Sequence, residues 1–209
     1  KADQTTAKLG KTRAGIESIS TQLARLKSQA IGFTLGNLAI TNITQTIDQY
    51  NNYAARINLI SKSNAEAKGT FSELMQIANE TGSVFGATAE LYTRFYRAMG
   101  DKANSAELLQ FTRTIQQMTV ISGAGAEEAK AAIIQLSQGL ASGTLRGEEF
   151  NSVAEQMPIL LEVLQKSLGK TRGELRKMAE AGELTPQLIL SATKEVAEEV
   201  QREYEQMPL

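Results

Sequence analysis

Residues 157–189 read MPILLEVLQKSLGKTRGELRKMAEAGELTPQLI, a stretch in which helix formers are interrupted only by residues that start or stop helices. Pro158 and Pro186 suit the first turn of a helix, because the backbone N–H that proline lacks would have no partner there. Gly169 and Gly182 suit the position just after a helix ends. This punctuation predicts short helices at 158–168, 172–181 and 186–203.

The rest of the chain favours helices as well. It has only three prolines, and good helix formers dominate its composition, so an all-α fold is predicted. Thr171 and Glu174 have the spacing of a capping box, in which each side chain bonds the backbone N–H of the other residue. Glycines and helix-start residues divide the preceding part into further predicted helices at 71–80, 88–99, 105–121, 126–141 and 147–155.

The first third of the chain has a narrower apolar pattern. Apolar residues recur by alternating threes and fours through residues 9–33 and again through 40–57. This is the spacing of a heptad seam, and it predicts long helices at 3–29 and 38–61. A narrow seam suits a coiled coil or an antiparallel hairpin better than a helix sunk in a globular core.

A polar, small-residue segment separates these two styles of sequence. The segment runs from Ser61 to Thr70, and we predict that it is a linker. Two domains are therefore expected, a heptad-like helical segment at 1–65 and a compact multi-helix module at 66–209.

The composition excludes several classes of protein. The chain has 209 residues, of which 42% are hydrophobic and 22% charged, with a net charge of −1, so intrinsic disorder is disfavoured. It has no Cys and no His, which excludes disulfides, thiolate chemistry, the usual zinc sites and every mechanism that needs an imidazole base. No cofactor and no metal are predicted.

Charge and hydropathy argue against nucleic-acid and membrane binding. Residues 1–27 carry six Lys and Arg against two Asp and Glu, but the pI near 5.8 is unlike that of a dedicated nucleic-acid binder. The most apolar stretch, Ala30–Ile43, is too short to span a bilayer, and a packed soluble helix explains it better. Because the chain does not begin with Met, we expect it to be part of a longer protein.

Catalytic motifs are weak. Two Gly-Lys-Thr triplets, at 10–12 and 169–171, lack the earlier glycine that a phosphate-binding loop requires. Glu148 and Glu155 could lie on one helix face as paired carboxylates of a glycoside hydrolase. Acidic side chains are also favourable at a helix N-terminus, which explains Glu148 and Glu149 without catalysis.

An aromatic stripe occurs inside the helix predicted at 88–99. Tyr92, Phe95 and Tyr96 recur at helical spacing, which fits either a ligand-binding or docking stripe or a buried core face. The core interpretation is favoured, and it predicts that Arg94 and Arg97 point to solvent.

Two segments echo each other. Residues 143–150 (GTLRGEEF) and 182–189 (GELTPQLI) both contain glycine, one further residue, leucine, and then a helix start with an apolar anchor. Duplication and convergent helix-start chemistry both explain the likeness.

Several segments together resemble the N-terminal domain of phage tail tape measure proteins. The longest is residues 136–158 (LSQGLASGTLRGEEFNSVAEQMP), and 168–176 (LGKTRGELR) and 182–185 (GELT) follow it in order. Shorter upstream segments, TAELY at 88–92 and SGAGA at 122–126, fit as well. The likeness covers roughly residues 70–200.

The resemblance implies a structural protein of the virion tail, assembled in the host cytoplasm and without enzymatic activity in this domain. Its implied role is to set tail length and template tail tube polymerisation. Implied partners are tail tube, tail tip and tail-assembly chaperone proteins, with self-association through the helical seams. A cell-wall hydrolase and a membrane-active helical module remain as alternatives. The residues that could bind a partner are Thr144, Leu145, Arg146, Gly147, Glu148, Glu149 and Phe150. Alternatively, this turn only shapes the domain, with Leu145 and Phe150 as core anchors.

Overall fold

The computed structural model describes the backbone of residues 38–102 and 104–207, and the side chains from residue 49 onward within those ranges. Nine α-helices and one 3-10 helix form there, with no strand among the described residues. The predicted all-α fold is confirmed for this part of the chain. The helix and seam predicted at 3–29, the basic segment 1–27 and the start of Ala30–Ile43 lie outside the described residues.

The helix bounds agree closely with the predicted punctuation. Both ends match at 105–121, 126–141, 158–168 and 172–181. In chain order the helices are α1 (Leu38–Ile60), α2 (Asn64–Glu80), α3 (Phe85–Met99), a 3-10 turn (Gly100–Lys102), α4 (Ser105–Ile121), α5 (Ala126–Ala141), α6 (Gly147–Gln156), α7 (Pro158–Leu168), α8 (Arg172–Ala181) and α9 (Pro186–Glu205).

The linker predicted at Ser61–Thr70 is wrong, because α2 already begins at Asn64. The hydroxyl of Ser63 accepts a hydrogen bond from the Glu66 N–H at 3.1 Å, and the Glu66 carboxylate accepts one from the Lys62 N–H at 2.7 Å. The first of these bonds satisfies an N–H group that the first turn of a helix leaves unpaired, and the second links the preceding residue to the same turn. Ser63 is therefore a helix cap, and the residues from Asn64 onward belong to α2.

The predicted start of α3 at Thr88 is also wrong, by three residues. Thr88 lies inside the helix, where its hydroxyl donates to the Val84 carbonyl at 3.3 Å and accepts from the Gln116 side chain at 2.9 Å. A threonine hydroxyl can bond a backbone carbonyl one turn earlier inside a helix, and it can also cap a helix N-terminus. The helix begins at Phe85, whose side chain is buried.

The described residues belong to two compact units, one ending at Ser72 and the other beginning at Glu73. In the second unit α3 packs on α4 and α5, while α9 packs on α4 and α7. Helix α6 bridges α5 and α7, and α8 contacts α6 and α7. The fully buried core side chains include Leu91, Phe95, Leu108, Phe111, Ile115, Met118, Ile133 and Leu136.

The aromatic stripe is part of this core, as its favoured interpretation predicts. The rings of Phe95 and Phe111 lie 4.1 Å apart between centroids, and Tyr92 is 1% exposed. Tyr96 is only half-buried, and Arg94 pairs with Glu90 on the surface.

The helix starts predicted from the capping box and from the two first-turn prolines are confirmed. Thr171 and Glu174 form the capping box, with the Thr171 N–H donating to the Glu174 carboxylate at 2.8 Å and the Glu174 N–H donating to the Thr171 hydroxyl at 3.3 Å. Pro158 and Pro186 occupy first turns. Within the described residues, no helix combines the length and apolarity needed to cross a membrane.

Candidate functional site

The seven residues predicted to bind a partner form the turn between α5 and α6 and the first turn of α6. Leu145 and Phe150 are buried, whereas Arg146, Gly147 and Glu148 are exposed. The remaining two, Thr144 and Glu149, are half-buried. The two apolar residues therefore hold the turn in the core, and the polar residues between them face solvent.

The two echoing segments contact each other. The Leu145 N–H donates a hydrogen bond to the Leu184 carbonyl at 2.9 Å, and both leucine side chains are fully buried. The apolar anchors that follow them, Phe150 and Ile189, are buried as well. We call the segments 143–150 and 182–189 the paired turns, because each supplies part of the other's packing.

Arg146 joins the paired turns on their outer side. Its Nε donates to the Thr144 hydroxyl at 2.8 Å. Its Nη2 lies 2.9 Å from the point that a β carbon on Gly182 would occupy, so the guanidinium covers that glycine. A side chain at position 182 would displace Arg146. The other N–H groups of the guanidinium have no partner among the described residues, which leaves them available to a binding partner.

Two glycines shape this site in different ways. Gly147 has a φ of +58° at the start of α6, and a β carbon on it would meet only the Glu149 carboxylate, at 3.9 Å. Close approach within the chain occurs instead at Gly139 of α5, where a β carbon would lie 2.7 Å from Leu145 Cδ1. Only tertiary packing distinguishes the two glycines, so the close approach at Gly139 is not readable from the sequence.

The carboxylates considered for catalysis do not share a cleft. Glu148 and Glu155 are both exposed, and only Glu155 lines the groove between α6 and α8. The described residues contain no group of three or more acidic, His or Cys side chains placed to hold a metal ion.

The groove between α6 and α8 contains residues that the sequence analysis did not assign. Its volume is about 490 Å³. Three of its residues come from α8 and belong to the LGKTRGELR segment. The lining is Phe150, Asn151, Ala154, Glu155, Arg172, Gly173 and Arg176.

Two carboxylates in the second unit are held in their charged form. The N–H and then the hydroxyl of Thr171 donate to Glu174 and lower the pKa of that carboxyl. The Lys194 ammonium donates to Glu107 at 2.9 Å and is the largest cause of the lowered pKa of Glu107, followed by the Asn104 N–H. Both carboxylates act in helix caps.

The family model described as tape measure protein matches residues 41–209. The chain belongs to the tape measure protein family. The match covers every helix of the second unit, including the paired turns. No curated protein and no solved structure matches the chain. Tape measure proteins are structural components of phage tails, so the family supports a structural role for this chain in the tail.

Proposed function

We propose that this chain is the N-terminal module of a tape measure protein that helps set tail length and template the polymerisation of the tail tube. The observation that carries the proposal is the family match over residues 41–209. The ordered resemblance of residues 136–158, 168–176 and 182–185 to the N-terminal tape measure domain supports it further.

The dimensions of the helices favour an anchoring or initiating role for this module. An α-helix rises 1.5 Å per residue, so a ruler gains length only where helices run on without turning back. The longest helix of the second unit, α9, has 20 residues, and the short helices around it pack into one core. The length-setting segment is then a different part of the full protein.

We assign the contact with other tail proteins to the exposed side chains of the turn at Thr144–Phe150. The proposed partners are tail tube, tail tip and tail-assembly chaperone proteins, met in the host cytoplasm during assembly. The turn suits this role because its apolar residues are fixed in the core while Arg146 and Glu148 remain exposed.

Tail length tests the ruler role. An in-frame deletion in the region that follows this chain is expected to shorten tails by about 1.5 Å per residue removed, as measured by electron microscopy. Refilling the deletion with an unrelated helical sequence of equal length is the matched control, and it should restore the length. Normal tails in the deletion strain would refute the ruler role.

A charge reversal tests the turn separately. Glu148→Lys is expected to reduce the yield of assembled tails, whereas Glu198→Lys, an equally exposed change on α9, should leave the yield unchanged. Equal yields from the two variants would remove the turn from the proposed contact.

A further inference from the structure

The groove between α6 and α8 shares only Phe150 with the paired turns. Asn151, Ala154 and Glu155 of α6 form one wall, and Arg172, Gly173 and Arg176 of α8 form the other. A volume of about 490 Å³ is within the range of sites that hold ligands in proteins. A concave site of this kind accepts a protruding segment.

The walls of the groove carry more positive than negative charge. Arg172 has no ion pair or hydrogen bond with any residue that the structure describes. Arg176 donates to Asn151 at 3.3 Å and lies 4.0 Å from the exposed Glu180 carboxylate. Against these two guanidiniums, Glu155 is the one carboxylate in the lining.

The acidic residue between the two arginines in sequence does not neutralise them. The Glu174 carboxylate accepts hydrogen bonds from the Thr171 N–H at 2.8 Å and the Thr171 hydroxyl at 2.9 Å. The Glu174 carboxylate is therefore engaged in the cap of α8, and Glu174 does not line the groove. Among the described residues Arg172 therefore has no carboxylate partner, and Arg176 has only the exposed Glu180 carboxylate at 4.0 Å.

Gly173 leaves space at the α8 wall of the groove. It lies in the first turn of α8 between the arginines, and a β carbon on it would meet nothing within 4 Å. No neighbouring atom among the described residues forces position 173 to be glycine. The lack of a side chain leaves the backbone of α8 accessible from the groove.

We propose that this groove binds an acidic segment of a partner protein, with a carboxylate between the guanidiniums of Arg172 and Arg176 and an apolar side chain next to Phe150 and Ala154. Guanidinium groups bind carboxylates through paired N–H donors, which fixes orientation as well as charge. A nucleic acid fits less well, because the chain has a net charge of −1 and lacks the basic stripe that nucleic-acid binders usually carry.

An NMR titration with a defined peptide tests this site. The probe is acetyl-Glu-Glu-Leu-Glu-Glu-amide, and its counterpart with Gln in place of each Glu is the uncharged control. The acidic peptide is expected to shift backbone amides at 150–155 and 172–176, and to bind more weakly as salt is added, because salt screens exposed charges. The Gln peptide should shift them far less.

Paired variants separate a specific site from general charge. Arg172→Gln with Arg176→Gln should weaken peptide binding about tenfold, which corresponds to about 1.4 kcal/mol. Arg97→Gln with Lys102→Gln makes the same change in net charge on α3 and the 3-10 turn and should leave binding unchanged. Gly173→Leu adds a side chain at the groove without meeting another atom at its β carbon, so it should weaken binding without lowering the melting temperature.

Three results would overturn the proposal. They are amide shifts that fall outside the groove or do not occur, equal weakening by both double variants, and tighter arginine-dependent binding of a short single-stranded DNA than of the acidic peptide. The proposal does not rest on the ruler role, because tail length and peptide binding are measured independently and either can fail alone.

Discussion

Gly139 shows how a single residue fixes the candidate site. A β carbon there would lie 2.7 Å from Leu145 Cδ1 and 3.2 Å from Leu145 Cα. The second of these atoms belongs to the backbone of the residue whose N–H donates to the Leu184 carbonyl, so moving it away would disturb that hydrogen bond. Close packing thus requires glycine in the last turn of α5, although glycine is a poor helix former.

We expect Gly139→Val to lower the free energy of unfolding by about 2 kcal/mol, because overpacking forces side chains and backbone to shift. Gly173→Val is the matched control, since a β carbon there meets nothing within 4 Å. Its effect should stay within about 0.5 kcal/mol. Urea unfolding followed by circular dichroism measures both, and equal stabilities would contradict the packing argument.

Glu107 depends on a partner in another helix for its charge state. The Lys194 ammonium of α9 is the largest cause of its lowered pKa. We expect Lys194→Gln to raise the pKa of Glu107 toward its ordinary value, while the pKa of Glu174, whose partner is Thr171, stays unchanged. NMR titration of the side-chain carboxyl carbons measures both groups, and a shift of both would point to a global change.

The sign of the accompanying stability change follows from the lowered pKa. A carboxyl whose folded pKa lies below its unfolded value stabilises the fold above the unfolded pKa, and this contribution is lost as the pH falls through the folded pKa. The wild-type chain and the Lys194→Gln variant should therefore differ most at neutral pH and converge under acid conditions.

At the scale of helices, α9 completes the end of α2. The Tyr204 hydroxyl donates to the Glu80 carbonyl, one of the last carbonyls of α2, which have no partner inside their own helix. Arg113 of α4 pairs with the Glu80 carboxylate and lies 3.4 Å from Glu73. Three helices are thereby joined through the last two turns of α2.

Removal of the tyrosine hydroxyl tests this junction. Tyr204→Phe should lower the free energy of unfolding by about 1 kcal/mol at neutral pH, the usual net value of a hydrogen bond. Tyr96→Phe, at a half-buried tyrosine of α3, is the control and should change it by less than about 0.5 kcal/mol. Equal losses of unfolding free energy in the two variants would mean that the hydrogen bond from Tyr204 to the Glu80 carbonyl does not stabilise the fold.

The same junction should be sensitive to alkali. Burial, and then the charge of Glu80, raise the pKa of Tyr204. The stability that this group contributes is present below its unfolded pKa of about 10 and is lost as the pH rises through the folded pKa. The difference between the wild-type chain and Tyr204→Phe should therefore shrink in alkali, which denaturant titrations at several pH values would show.

The sequence predicted helix ends well where their chemistry is local. The capping box of Thr171 and the first-turn prolines involve residues within one turn of each other, so their spacing is readable. The start of α2 was missed although Ser63 and Glu66 have capping-box spacing, because their polar surroundings resembled a linker. Thr88 was misassigned because its actual partner, Gln116, lies on another helix.

The candidate site was predictable in part for the same reason. The turn at Thr144–Phe150 and its two apolar anchors followed from local pattern, and so did the likeness to 182–189. The bond between Leu145 and Leu184 did not, since no local pattern encodes a contact between separate helix pairs. The arginines of the groove were missed because they face a residue of α6.

For the molecule as a whole, stability in the second unit centres on the Phe95 and Phe111 rings. Phe95→Ala should lower the free energy of unfolding by about 3–5 kcal/mol, since it leaves a cavity among fully buried side chains. A typical domain has only about 5–15 kcal/mol in total, so this variant should unfold at clearly lower urea concentration. Arg97→Ala, an exposed change in the same helix, is the control.

The paired turns also impose an order on synthesis. The buried N–H of Leu145 finds its acceptor only when Leu184 has been added. Ribosomes add about 5–20 residues per second, so the α5–α6 turn waits some seconds in the nascent chain before its packing can be completed. A chain interrupted before Leu184 carries Arg146 and Glu148 on a turn whose packing partner, the segment 182–189, is incomplete. The packing of the turn at 143–150 can therefore be completed only after the segment 182–189 has been translated.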